Sequence, residues 1–86
     1  MNYAVFLHPF VVRYLDNLSK SERRKCYRSL KELSHDPRKP RAGCDIKKMS
    51  NKEDFYRLRT GGHRFLYVIK ENEVFVEEGV KREKGY

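Results

Sequence analysis

Residues 64–69, Arg-Phe-Leu-Tyr-Val-Ile, constrain the fold more than any other segment of this chain. The run is aromatic and β-branched, which suits a strand, and it is apolar at odd and even positions alike. Both of its faces therefore need cover, so it belongs in the middle of a sheet. Gly61-Gly62 lies just before it. Glycine accepts the positive φ that tight hairpin turns require, so residues 55–60, Phe-Tyr-Arg-Leu-Arg-Thr, should pair antiparallel with the central strand. Alternation in that partner is clean: Tyr56 and Leu58 point one way, Phe55, Arg57 and Arg59 the other. One face of the hairpin is thus apolar and the other is charged.

The remaining elements assemble around this hairpin. Glu71-Asn72-Glu73 reads as a turn and Val74-Phe75-Val76 as a last strand, while residues 3–7, Tyr-Ala-Val-Phe-Leu, suit a first strand. His8-Pro9 breaks that strand, and Pro9 fits the first turn of a helix over about residues 9–18. Phe10, Val11, Tyr14, Leu15 and Leu18 recur there at helical spacing. Ser19-Lys20-Ser21-Glu22 reads as a capping box opening a second helix to about residue 34, with Cys26, Leu30 and Leu33 on its buried stripe. Pro37 cannot continue that helix and biases Asp36 out of it. A basic loop over residues 36–45 leads to a short strand at 46–49 and a polar turn at 50–54. The predicted fold class is α+β, a β-α-α-β-β-β order with two N-terminal helices on one face of a mostly antiparallel sheet. With 86 residues the chain is predicted to be a single domain, 1–86.

Charge narrows the function classes. Lys and Arg number 20 against 12 acids, a formal net charge of +8. Such an excess needs counter-ions or a polyanion: nucleic acid, an acidic lipid surface or an acidic protein segment. Cys26 and Cys44 form no Cys-x-x-Cys and no zinc-ligand spacing, and read as free thiols of a reducing compartment. The N-terminal segment lacks a charged n-region, and no apolar run approaches a membrane span. These features predict a cytoplasmic protein without a membrane partner. No serine–histidine–aspartate pattern, phosphate-cradling glycine loop or metal-ligand cluster stands out, so neither a metal nor a cofactor is predicted.

The positive charge is concentrated. Arg57 and Arg59 share a strand face, the glycine turn folds Arg64 back beside Arg59, and Arg82 follows the last strand, with Lys47 and Lys48 close by. Guanidinium is permanently charged and forks onto phosphate oxygens, so three or four together form a phosphodiester clamp. An acidic-partner surface and a plain solvated strand face are the competing readings of the same residues. Tyr14, Tyr56 and Tyr67 are expected in the core, whereas Tyr86 has no evident core to join. His8 and His35 sit at helix ends. His63, beside Gly62, is the histidine placed to reach the arginine face.

The string 55–69, the strand 74–76 and the tail Lys81-Arg82-Glu83-Lys84-Gly85-Tyr86 together resemble the RelE/ParE toxin superfamily, with the look of an archaeal RelE. The likeness runs over essentially the whole chain, the helical front half and the break at Pro37 included. It implies a type II toxin–antitoxin toxin that enters the ribosomal A site and cuts translated mRNA by attack of the 2′-hydroxyl on the adjacent phosphodiester. It further implies neutralisation by an acidic, helical, RelB-like antitoxin in a heterodimer or heterotetramer. Carried over by motif, Arg57, Arg64, Arg82 and Tyr86 are the implied catalytic set, with Arg59, Lys47 and Lys48 as substrate contacts. Some members carry lysines where this chain has Arg57 and Arg59. Arginine cannot give up its proton, so these two residues are unsuited to act as a general base. The tail ends on Tyr86, which would set a carboxylate beside that ring. The alternative is a non-enzymatic binder, either a ParE-like inhibitor of DNA gyrase or an inactive homologue.

Overall fold

The β-hairpin of residues 55–70 is the centre of the fold. In the computed structural model, which describes residues 2–51 and 54–81, β3 (Phe55–Thr60) pairs antiparallel with β4 (His63–Lys70), with Tyr56 opposite Tyr67 and Arg59 opposite Arg64. Gly61 takes φ 57° in the connecting turn, the left-handed region where a side chain is strained. β5 (Glu73–Lys81) lies on the far side of β4, again antiparallel. β1 (Ala4–Leu7) adds to β5 in parallel, and β2 (Asp45–Lys48) closes the opposite edge against β3. The order is β1-β5-β4-β3-β2, five strands with β4 in the middle as its two-sided apolar run requires. The short segment after the basic loop is thus a full member of the sheet.

Both helices lie on one face. The helix α1 (Pro9–Asp16) packs over β5, and α2 (Lys20–Glu32) over β3. His8 caps α1, its Nδ1 accepting from the Phe10 amide at 3.1 Å, and Ser19 caps α2 by accepting from the Glu22 amide at 3.3 Å. Val11 and Leu15 from α1, and Cys26, Leu30 and Leu33 from and beyond α2, meet Leu58, Phe65, Tyr67, Val74 and Val76 in one core. Phe10, expected on the buried stripe, instead stands 65% exposed with the Arg13 guanidinium over its ring. An eight-residue helix buries only the narrow stripe through Val11 and Leu15.

One boundary differs by more than a residue or two. β5 runs five residues past the expected strand Val74-Phe75-Val76, through Glu77-Glu78-Gly79-Val80 to Lys81, the first residue of the polar tail. A register shift opposite Leu66 and Tyr67 lets it continue. A β-bulge of this kind adds a residue and re-aims the strand without ending the pairing. Gly79 fits the same account: a Cβ there would lie 2.9 Å from the Phe65 ring and 3.1 Å from that of Tyr14. The missing side chain leaves room for the Tyr14 ring of α1 against Phe65 of β4.

Candidate functional site

The face of the sheet turned away from the helices carries the arginine cluster. Strand alternation sends Tyr56, Leu58, Phe65 and Tyr67 to the helices, and sends Arg57, Arg59, Arg64 and Leu66 to the open side. Arg59 and Arg64 are direct cross-strand partners, and Arg57 stands opposite Leu66 on one side and Lys47 on the other. Two like charges face to face repel, and they persist only if something else favours the arrangement.

Asp45, on the edge strand, supplies the counter-charge that holds this cluster in place. It sits 3.3 Å from the Arg57 guanidinium and 3.8 Å from Nε of Arg59. One carboxylate thus serves two arginines, while Arg64 stands across from Arg59. The Arg57 side chain is only 11% exposed. The Nε atoms of Arg57, Arg59 and Arg64 are all buried with no hydrogen-bond partner among the described residues; a fourth such atom there belongs to Arg23 of α2, on the helix side. Leaving a buried donor unpaired costs about 1–3 kcal/mol. Three such donors on one face leave the cluster with hydrogen-bonding capacity that the described residues do not use. An open cleft of about 580 Å³ runs round the sheet edge from this cluster, shared through Arg59 and lined also by Lys25, Arg28 and Asp45. Arg41 at its rim is committed to the backbone, donating to the carbonyls of Glu32, Asp36 and Lys39.

The structure brings together Arg57, Arg59, Arg64 and Lys47, as their spacing suggests. It does not bring Lys48 to them. Lys48 pairs with Tyr56, whose ring is in the core, so alternation places it on the helix side of the edge strand. Arg82 and Tyr86 lie outside the described residues; Lys81, the residue before Arg82, is opposite His63 at the arginine end of the sheet. Tyr56 and Tyr67 are stacked in the core, and the Tyr67 hydroxyl donates to the Pro37 carbonyl at 2.7 Å.

His63 is corrected by the structure. It is 3% exposed and faces the helices, away from the arginines. Its Nδ1 is 2.6 Å from the Tyr14 hydroxyl and its Nε2 is 2.8 Å from a Glu22 carboxylate oxygen. The second Glu22 oxygen accepts from the Ser19 hydroxyl at 3.3 Å. Glu22, expected to complete a capping box, thus reaches into the fold and ties α2 to β4. The His63 hydrogen bond is the main reason its carboxyl is held below the usual range. Burial pushes the Tyr14 hydroxyl up, and the neighbouring Cys26 and Glu22 add to the shift. The tyrosine, histidine and glutamate pin both helices to the sheet. Nothing in the sequence linked these three residues, because they meet only once α1 is laid over β5 and α2 over β3, on either side of β4.

No family model and no curated relative matches the chain. Solved structures do. A chain of the archaeal RelE–RelB complex from Pyrococcus horikoshii OT3 superposes with TM-score 0.84 at 27% identity, covering 99% of this chain and 100% of that one. The free-state mutant of the E. coli toxin RelE gives 0.72 at 25% identity, covering 94% of this chain and 84% of that one. These likenesses support the RelE superfamily for this chain, archaeal-like within it. A chain of the RelB–RelE complex from Methanococcus jannaschii shares the fold at TM-score 0.70 and 16% identity, over 88% of each chain. In this chain the arginines sit on β3 and β4, so the centre of the sheet, not a loop, fixes their spacing.

Among the described residues, no group of three or more His, Cys, Asp or Glu side chains is placed to hold a metal ion. No helix among them is long and apolar enough to cross a membrane.

Proposed function

We propose that this chain is the toxin of a type II toxin–antitoxin pair and a metal-independent endoribonuclease that cuts translated mRNA in the ribosomal A site. The observation that carries the reading is the open-face cluster of Arg57, Arg59 and Arg64 with its three unpartnered buried donors. In the reaction the substrate's 2′-oxygen attacks the adjacent phosphorus as its proton leaves. The bond from phosphorus to the 5′-oxygen breaks, giving a 2′,3′-cyclic phosphate and a 5′-hydroxyl that takes up a proton. Extra negative charge appears on the non-bridging oxygens of the pentacoordinate phosphate. Fixed guanidinium groups in a partly dry site stabilise that charge more than they stabilise the ground state.

The arginines are not the base. Proton transfer falls to Lys47, which stands opposite Arg57, to Tyr86, or to ribosomal groups, with Arg82 adding positive charge. The excess of +8 suits both the substrate and an acidic, helical, RelB-like antitoxin in a heterodimer or heterotetramer. That two of the similar structures are RelE–RelB complexes supports such a partner. A substrate undergoing translation places the protein in the cytoplasm.

Mapping of mRNA ends in a translating extract tests the reading. Wild type should generate new 5′-hydroxyl ends inside reading frames, and Arg64→Ala should not. Growth arrest without any new ends would favour the alternative, a ParE-like gyrase inhibitor or an inactive homologue that acts by binding.

A further inference from the structure

Beside the arginines, the open face carries an apolar row that the phosphate chemistry does not use. Phe6, Phe75, Val68 and Phe55 stand opposite one another across β1, β5, β4 and β3. The next row along the strands holds Glu78, Leu66, Arg57 and Lys47, and the one after that Val80, Arg64, Arg59 and Asp45, so four cations stand with two carboxylates. The Phe6 and Phe75 rings are already stacked, with centroids 5.4 Å apart and planes inclined by 17°. Phe6 lies on an edge strand and is 47% exposed. Its ring can therefore extend the stack outward.

From Phe75 to Arg57 the path is two strand spacings across and one two-residue step along, roughly 12 Å in all. An extended single strand covers that distance in a couple of nucleotides. A row of exposed aromatic rings within that reach of a guanidinium cluster is the arrangement by which proteins hold unpaired bases while gripping the backbone. An apolar protein segment could also lie on the row, but the flanking charge favours a polyanion with flat, stackable groups.

We propose that Phe6 and Phe75, flanked by Val68 and Phe55, form a base-stacking subsite for the single-stranded RNA whose phosphate the arginines hold. The proposal rests on the phosphate-clamp reading above. Phenylalanine has no polar handle, so the subsite selects by stacking strength and favours purines over pyrimidines without reading their edges.

The test uses the full chain and 2′-O-methyl hexaadenylate, which cannot be cut by its own 2′-oxygen. A series of abasic versions removes one base at a time. Wild type should bind one or two of the abasic oligomers about tenfold more weakly than the intact one, the scale of a single base stacked on an aromatic ring. The Phe6→Leu/Phe75→Leu variant should bind the intact oligomer about tenfold more weakly than wild type and respond equally to every abasic position. Arg64→Ala should weaken all oligomers alike and reduce the salt slope by about 0.7, one single-strand phosphate contact.

If no abasic position matters while Arg64→Ala still weakens binding, the stacking subsite is absent and the clamp stands. The subsite is equally ruled out if the leucine variant binds like wild type, and loss of antitoxin binding by that variant would then assign the row to a protein. Binding that ignores Arg64 overturns the clamp, and failure of wild type to bind any oligomer overturns both. Should the leucine variant fail to fold by circular dichroism, the abasic series on wild type decides alone.

Discussion

The two faces of the sheet are built by the same strands, one residue out of step, yet they treat polar groups in opposite ways. On the helix side, Arg23 Nε apart, the buried polar groups have partners: Tyr67 with the Pro37 carbonyl, Ser29 with Thr60 and the Gly43 carbonyl, and His63 between Tyr14 and Glu22. On the open side Arg57 and Arg59 share a single carboxylate, Asp45, and together with Arg64 keep three buried donors unmatched among the described residues. Folding cannot favour that arrangement, since unmatched buried donors and facing like charges both cost stability. The difference separates residues that hold the sheet from residues that wait for a ligand.

Substitutions on the two faces should therefore separate stability from activity. Phe65 is fully buried against Tyr14 and Gly79. Phe65→Ala should cost about 3–5 kcal/mol in urea unfolding, with activity falling only as the folded fraction falls. Arg64→Ala should behave in reverse. It should raise the cleavage barrier by about 3 kcal/mol, slowing the reaction more than a hundredfold. Its unfolding midpoint should hold or rise, because the repulsion across the Arg59–Arg64 pair is relieved. An Arg64→Ala protein that unfolded as readily as Phe65→Ala would break the comparison at its centre.

Most of the fold was legible because it depends on local periodicity. The two-sided apolar run marked the central strand, the alternation in residues 55–60 separated core from charge, and Ser19 and Pro37 set the limits of the second helix. The site was legible to the same depth: Arg57, Arg59 and Arg64 converge because alternation and a two-glycine turn require it. What was not legible depends on register between distant segments. Lys48 falls on the wrong face because β2 begins at Asp45, and no signal in 36–51 fixes that phase. The length of β5 depends on a bulge opposite Leu66 and Tyr67, and the burial of His63 on two helices packed over the strands either side of β4. Glu71 takes φ 54° in its turn although its side chain gives no such hint. Each is decided by packing, which a linear pattern does not encode.

Gly79 is a sharper probe of the covered face. Gly79→Ala places a methyl 2.9 Å from the Phe65 ring and 3.1 Å from Tyr14. Both neighbours are wedged between helix and sheet, so the ring cannot yield freely. Overpacking of this kind should destabilise by about 1–3 kcal/mol in thermal or urea unfolding, less than the Phe65 cavity. A neutral result would mean that α1 shifts easily on β5, and that the covered face is less tightly fixed than its close contacts imply.

The smallest expected effect tests how the helices are tied down. The Glu22 carboxyl is held below its ordinary pKa chiefly by the hydrogen bond from His63, with a further contribution from Ser19. A carboxyl whose folded pKa is depressed contributes stability that is complete above its unfolded value. That contribution disappears as the pH falls through the folded one. Wild type should therefore be more stable than Glu22→Gln near neutrality, and the difference should close in the acid range below about pH 4. The carboxyl is largely in solvent, so the gap should be smaller than that for Gly79→Ala. Cleavage by the folded Glu22→Gln protein should match wild type, because the tie lies on the opposite side of the sheet from the arginines. A stability gap that persisted unchanged into acid would assign the tie to packing around His63. Loss of cleavage without loss of folding would show that the two faces are coupled through β4.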